Sequence, residues 1–358
     1  MARQRLHYLG RSTDAAAAIS LTPMSDAALD RLLGLLIAAI LATGVLTWRA
    51  GSPDTWWLYA LHGLLAGALL AAGAMKLRRS LPRALAKRRW RELVISVPFA
   101  LATLLSLAIG FAWVAGGQYV EIGPWTLLGW HGIVAWAVLA FAALHLLLRG
   151  RWRVLRPPRL PVIRRGLSRR TLLAGGLLGL AGATVWGTAE LLDRISAAPR
   201  RFTGSRLLAT GGIPPPTTFF GEPTPPIDLA DWRLSVVGAV DQPLELSIDD
   251  LIALGTTDMT AVLDCTGGWA IETTWQGVPM AVLLSAAGSR SGASAIEVRS
   301  VTGWGASMPL DEARGTMLAT GVAGGELPVD NGAPCRLVVP NRRGLDWVKW
   351  VTEVRVLA

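Results

Sequence analysis

Two sets of residues in this 358-residue chain have types and spacings that suit metal chemistry. The first is Cys265. It closes the apolar run Val262-Leu263-Asp264 and is followed by Thr266-Gly267-Gly268-Trp269, where the glycines let the backbone approach a bulky group closely. A thiolate there suits a soft or high-valent metal centre. A buried inert thiol is the alternative for any lone cysteine, and it is the reading for Cys335, which falls inside an apolar strand. The second set is His62, His131 and His145, three of the four histidines. All lie in long apolar stretches, where ionisable side chains are rare and face the interior of a helix bundle.

The elements that position these residues follow from composition. With 52% hydrophobic and 17% charged residues and a mean hydropathy of +0.42, an ordinary soluble domain is excluded. The net charge of +10 divides unevenly at residue 192: 22 basic and 7 acidic residues precede it, 13 and 18 follow, so the halves are +15 and −5. The positive charge belongs to loops between apolar runs, which leaves no case for nucleic acid as a partner. Residues 32–48, 55–75, 93–117 and 122–148 are each long enough to cross a bilayer. Eight basic residues lie in 76–91 and none in 116–124, which places the N-terminus in the cytoplasm. Trp48, Trp56, Trp57, Trp113, Trp125 and Trp130 cluster toward the opposite ends, as an interfacial aromatic belt would, although several suit packing equally.

Nine arginines in 149–170 keep that segment inside. The pair Arg169-Arg170 precedes a Gly/Ala-rich stretch, 171–192, read as a fifth span; it resembles an internal twin-arginine export signal or serves as a positive-inside flank. Either way, everything after residue 192 is extracytoplasmic. The expected organisation is a cytoplasmic tail (1–30), a four-helix membrane domain (31–150), a basic linker (151–170), a fifth transmembrane helix (171–192), a Pro-rich linker (193–226) and an outer domain (227–358).

Sidedness decides which histidines can meet. His62 and His131 each lie six residues in from the outer ends near Trp56 and Trp125, about 9 Å deep at 1.5 Å per residue. Two neutral imidazoles at one depth can be the axial ligands of a b-type haem. His145, 14 residues beyond His131 and close to Arg149, reads as interfacial. The bundle thus resembles a b-type cytochrome that retains one outer haem.

The outer region alternates short strands and helices. Residues 232–237, 295–300, 335–339 and 348–356 read as strands, and Ser247 caps a short helix. Four blocks, in order, are similar to the molybdopterin domain of the sulfite-oxidase family, which includes periplasmic protein-methionine-sulfoxide reductase catalytic subunits. They are Cys265 with its glycines; Trp275-x-Gly277-Val278-Pro279 into Leu283-Leu284; Gly305-Ala306-Ser307-Met308-Pro309-Leu310; and Gly325-Glu326-Leu327-Pro328 through Asn331-Gly332-Ala333-Pro334-Cys335-Arg336-Leu337-Val338-Val339-Pro340 to Gly344 and Val348-Lys349-Trp350.

The fold class this implies is an α-helical transmembrane bundle plus a mixed α/β sulfite-oxidase-type domain carrying Mo-molybdopterin. Cys265 is then the protein ligand to molybdenum, and Lys349, Arg342, Arg343, Ser307 and Thr266 are the expected cofactor contacts. Sulfite-oxidising members carry an arginine shortly after the metal cysteine, whereas this chain has Gly267-Gly268-Trp269. Asp346-Trp347 stands where some members have a basic pair. A neutral S- or N-oxide is therefore the expected substrate, with oxygen-atom transfer at the outer site and electrons exchanged through haem b with the quinone pool or another redox protein. The competing class is a non-catalytic binding or assembly module on the same fold.

Overall fold

The computed structural model of the chain describes residues 24–116, 119, 121–149, 169–196, 200–216 and 222–358. The N-terminal tail up to residue 23 and the basic linker from 150 to 168 lie outside the described residues. The side chains of the arginine pair at 169–170 lie outside them too.

The apolar stretches form helices α1 (Asp26–Leu46), α2 (Trp56–Ala86), α3 (Trp90–Val114) and α4 (Leu127–Arg149). These include the four helices long and apolar enough to cross a membrane. Ser25 caps α1 by accepting the Ala28 N–H. Helix α2 runs 11 residues past the predicted end at 75. Its basic run stays helical because Lys76 and Arg83 pair with Asp30 and Asp26 on α1. Between α3 and α4 a small hairpin, β1 (Glu121–Ile122) and β2 (Trp125–Thr126), turns the chain.

The stretch expected as a fifth span forms helix α5 (Arg169–Ser196), which is not among the helices long and apolar enough to cross a membrane. It is less apolar than the other four and packs on α2 through glycine. A Cβ on Gly67 would fall 2.6 Å from Gly182 Cα, so the two backbones touch there.

The outer domain has two sheets. The first contains β3 (Arg206–Leu207), β6 (Thr257–Asp264), β7 (Trp269–Pro279), β10 (Met317–Val322), β11 (Gly325–Glu326) and β12 (Arg336–Val338), with β7 and β10 central. The second runs β5 (Leu244–Leu246), β4 (Leu234–Gly238), β13 (Val351–Leu357), β8 (Ala295–Ser300), β9 (Gly305–Pro309). The strands predicted at 232–237, 295–300, 335–339 and 348–356 correspond to β4, β8, β12 and β13. The Ser247 cap forms a reciprocal capping box with Asp250. Alternating residues of both sheets, with Trp232, Trp269, Trp275 and Trp347, make one core.

The predicted Pro-rich linker is in part structural. Arg206-Leu207 pairs in parallel with Trp269-Ala270, and Ser205 and Arg206 are buried. Strand pairing and ion pairs hold this piece: Arg206 bonds Asp193 at 2.6 Å and Arg200 bonds Asp193 and Glu190. Neither feature is visible in a proline count.

Candidate active site

The β6–β7 hairpin positions Cys265. Strand β6 ends at Asp264, the Cys265 N–H donates to Trp269 O at 2.9 Å, and the Gly268 N–H donates to Cys265 O at 3.0 Å. Gly268 has φ +98°, which closes this turn at no steric cost. Cys265 Sγ accepts the Gly267 N–H at 3.2 Å.

Asp264 acts as a hydrogen-bonding residue beneath this turn. Buried, it accepts from Thr203 (2.8 Å) and Ser205 (2.6 Å) and lies 3.2 and 3.3 Å from Arg201 and Arg343. Among the described residues, no group of three or more His, Cys, Asp or Glu could hold a bare metal ion. This donor set around Cys265 fits a metal that brings donors of its own, as a dithiolene cofactor would.

The predicted cofactor contacts separate. Lys349 lies across Gly332 from Arg336. Its Nζ donates to Asp330 O at 3.2 Å and lies 4.0 Å from the Trp350 ring centre. Burial, and then the positive charge of Arg336, pull its pKa down to about 8.

Thr266 is half-buried on the cavity wall described below. Arg343 faces the bundle instead of an outer pocket. Its Nη2 donates to Cys265 O at 2.8 Å and Nη1 to Thr47 O of the segment after α1 at 3.3 Å. Arg342 is bound at 2.6 and 2.7 Å by both carboxylate oxygens of Glu312, which hold its pKa up, and at 3.2 Å by Asp346. Ser307 is exposed on β9, and its carbonyl accepts from Arg342 at 3.2 Å. Cys335 is fully buried, and burial pushes its thiol pKa upward, as an inert core cysteine requires.

Sequence reasoning missed Arg336. Its guanidinium stacks over Trp275 (5.0 Å) and Trp347 (5.7 Å) and donates to Asn331 O at 2.9 Å; its Nε is buried without a partner among the described residues. Among the described residues no carboxylate pairs with it, and burial pulls its pKa down to about 10. Gly332, at φ +115°, separates it from Lys349; a Cβ there would fall 3.0 Å from the Cβ atoms of both. Two adjacent cations, one fully buried and unneutralised, fit an anionic group such as the phosphate of a pterin cofactor. The available signal was an arginine inside an otherwise apolar strand.

Residues 221–358 match the family described as oxidoreductase molybdopterin binding domain. The outer domain belongs to the sulfite-oxidase family of molybdopterin domains. This domain is 31% identical over 147 residues to the protein-methionine-sulfoxide reductase catalytic subunit MsrP of Xanthomonas campestris, covering 36% of this chain and 46% of that protein. It is 30% identical over 131 residues to the uncharacterized oxidoreductase YuiH of Bacillus subtilis, covering 36% of this chain and 66% of that one. To mitochondrial sulfite oxidase of Mus musculus it is 35% identical over 185 residues, 42% of this chain and 34% of that one. The chain spans about half the length of the MsrP relatives it matches. The molybdopterin domain thus accounts for the Cys265 side of the molecule.

In the bundle, the rings of His62 and His131 lie 6.2 Å apart, centre to centre, inclined at 84°. Each Nδ1 is held: that of His62 by Thr43 Oγ1 at 2.9 Å, that of His131 by Ser106 O at 2.9 Å. Gly44 and Gly110 make room for the imidazoles; a Cβ on Gly110 would lie 3.0 Å from His131 Cε1. Neither Nε2 has a hydrogen bond among the described residues. Tethering one nitrogen and leaving the other available is how a metal-binding imidazole is oriented, so these residues fit axial ligation.

Both rings line a cavity of about 1100 Å³ that extends past Trp113 and Phe202 to Thr266 and Arg343 of the molybdopterin domain. His145 is separate, against Phe99 at 5.6 Å. Trp113, expected in the aromatic belt, is buried and bonds Gly204 O at 2.9 Å. Trp56 and Trp57 remain exposed, as a belt requires.

Proposed function

We propose that the chain is a membrane-anchored molybdopterin oxidoreductase that transfers an oxygen atom to or from a neutral S- or N-oxide outside the cytoplasm, exchanging electrons through a haem b held by His62 and His131. The observation that carries this reading is the single cavity that runs from the histidine pair to the Cys265 turn. Two centres joined by one cavity would serve a reaction that needs two electrons at one end and supplies them singly at the other.

When bound, the molybdenum cofactor supplies two-electron oxygen-atom exchange and the haem supplies one-electron transfer. The chain's own residues bind and orient. Cys265 donates the thiolate, with its turn fixed by the Gly267 and Gly268 amides. Arg336 and Lys349 neutralise the cofactor's anionic group inside a Trp-walled site. Thr43 and Ser106 fix the two imidazoles. The neutral-oxide preference rests on the glycines at 267 and 268, where sulfite oxidisers place an arginine. The quinone pool or another redox protein is the proposed electron partner, and the four apolar helices are proposed to span the bilayer with residues 76–91 inside.

The test is molybdenum analysis and reduced-minus-oxidised absorbance on detergent-purified full-length protein, with reduction of dimethyl sulfoxide by an artificial donor. Molybdenum, a b-type band and turnover are expected together. Protein from a cofactor-making host that lacks molybdenum overturns the enzymatic reading in favour of the binding module. A molybdenum-loaded protein without the band overturns only the haem. Tags in 76–91 and after residue 358 are expected on opposite sides.

A further inference from the structure

Two glycines, Gly267 and Gly268, leave the turn that carries Cys265 with little stiffness of its own. Its carbonyls are held from the helix bundle. The buried Thr126, at the end of β2, donates through Oγ1 to Gly267 O at 2.5 Å. The same oxygen accepts the N–H of Gly129, in the first turn of α4, at 3.1 Å, so the hydroxyl is fixed from both sides. Arg343, also buried, donates through Nη2 to Cys265 O at 2.8 Å and through Nη1 to Thr47 O, just past α1, at 3.3 Å. The loop after α1 packs directly on this arginine's backbone: a Cβ on Gly51 would fall 2.7 Å from the Arg342 carbonyl carbon and 2.8 Å from the Arg343 nitrogen. Trp113, at the end of α3, covers the turn, and a Cβ on Gly268 would fall 2.7 Å from its Cζ2.

We propose that Thr126 and Arg343 are positioning residues for Cys265, through which the helix bundle sets the geometry of the molybdenum ligand. The proposal rests on the molybdopterin oxidoreductase reading and adds to it two residues that act through the backbone presenting the thiolate. Cys265 Sγ accepts the Gly267 N–H at 3.2 Å, and a hydrogen bond to a ligating sulfur tunes the metal that the sulfur binds. Thr126 holds the carbonyl of that same Gly267, and Arg343 holds the carbonyl of Cys265 itself. The two residues that make the N–H···S contact are therefore both fixed from outside the turn. Removing the Thr126 hydroxyl takes away the group that satisfies Gly267 O and frees a glycine-rich segment to sample other conformations. A molybdopterin domain would thus depend on its membrane partner for the shape of its metal ligand as well as for attachment.

The test uses full-length protein in detergent as wild type, Thr126→Ser, Thr126→Val, Arg343→Lys and Gly51→Ala, compared at equal molybdenum content. Three quantities are read: the Mo(V) paramagnetic resonance signal, the midpoint potential of the molybdenum, and hydrogen exchange of the Gly267 and Gly268 amides. Thr126→Val is expected to broaden or split the Mo(V) signal, to shift the potential, and to speed exchange of the two amides by about two- to twelvefold, as loss of one net hydrogen bond allows. Thr126→Ser, which keeps the hydroxyl, is expected to match wild type in all three. Arg343→Lys loses the planar fork that reaches two carbonyls at once, and Gly51→Ala presses on Arg343 from the bundle without touching Cys265; both are expected to move the three readings as Thr126→Val does. An unchanged Mo(V) signal and unchanged exchange in Thr126→Val overturn the proposal, and so do changes that are equally large in Thr126→Ser, which would make position 126 a packing site. Unchanged readings in both Arg343→Lys and Gly51→Ala overturn the role of Arg343. A wild type without molybdenum overturns the oxidoreductase reading instead, and the exchange comparison, which needs no metal, still decides whether the bundle holds the turn.

Discussion

The Cys265 site and the histidine pair are built in opposite ways. Around Cys265 the chain buries a cation: Arg336 stacks on Trp275 and Trp347 with no carboxylate partner among the described residues, and Lys349 lies on the other side of Gly332. Around His62 and His131 it satisfies one nitrogen of each ring, clears space with Gly44 and Gly110, and surrounds the rest with apolar side chains. The first site is incomplete without an anion. The second is complete as a protein structure and is shaped in advance. On the proposed reading, binding to the first would be driven by relief of an electrostatic penalty, and binding to the second by geometry.

The largest expected effect is at Cys265. Cys265→Ser replaces a soft donor with a hard one, and turnover is expected to fall by far more than the ~10- to 100-fold that loss of an outer-shell partner costs a metal site. Cys335→Ser, in the core away from the cavity, is expected to leave molybdenum content and the Mo(V) signal in place. Full activity of Cys265→Ser in a molybdenum-loaded protein would remove the outer site from the comparison.

For the bundle, His62→Ala and His131→Ala are each expected to abolish the reducible b-type absorbance while His145→Ala retains it. Molybdenum content should not change, because the two sites share no ligand. Thr43→Val is the finer probe: it leaves His62 present but untethered, and haem retention is expected to fall by about 10- to 100-fold. A band that survives His62→Ala and disappears in His145→Ala would assign the wrong pair.

Arg336→Met sharpens the contrast because its effect changes sign with the cofactor. In cofactor-free protein, removing a buried cation that lacks an anionic partner is expected to be neutral or to stabilise by about 1–4 kcal/mol. In loaded protein the same change leaves a buried anion unpaired and is expected to weaken cofactor retention by about 2–5 kcal/mol. Thermal midpoints of both forms, read with molybdenum content, check this; loss of stability in both forms would make Arg336 a packing residue.

How much of this was legible in the sequence follows the same division. Cys265 and its glycines stood out through the resemblance of four ordered blocks to a family, because residue type alone reads a lone cysteine equally as an inert core thiol. The meeting of His62 and His131 was readable because depth in an apolar helix is a count of residues. The position of Arg343 was not readable: it lies in a loop beside Arg342, and only the tertiary approach of Thr47 and Asp264 separates one arginine that faces the bundle from one held by Glu312. The packed piece of the Pro-rich stretch was hidden for a similar reason, since Arg206 finds its strand partner in Trp269, far along the chain. Long-range pairing leaves no periodic signal in a short segment.

The smallest expected effect is a pH dependence at Lys349. An unfolded lysine holds its proton up to about pH 10.4. In the folded domain, burial and the Arg336 charge pull the Lys349 pKa down to about 8. Between about pH 8 and 10.4 the unfolded chain therefore binds more protons than the folded one, and linkage requires stability to rise with pH across that window. Below about pH 8 both states are protonated, so the penalty is fully present and the contribution is flat. Partial exposure screens the effect, which is expected to appear as a slope and not as a large midpoint shift. Chemical denaturation of cofactor-free protein at pH 7, 8, 9 and 10 should show a difference between wild type and Lys349→Met that narrows as pH rises. With the anionic cofactor bound, the ammonium gains a neighbouring negative charge, its pKa rises toward the ordinary value, and the slope should diminish. Parallel wild-type and Lys349→Met profiles in the cofactor-free protein would mean that Lys349 is solvated, leaving Arg336 alone to make the outer site electrostatically incomplete.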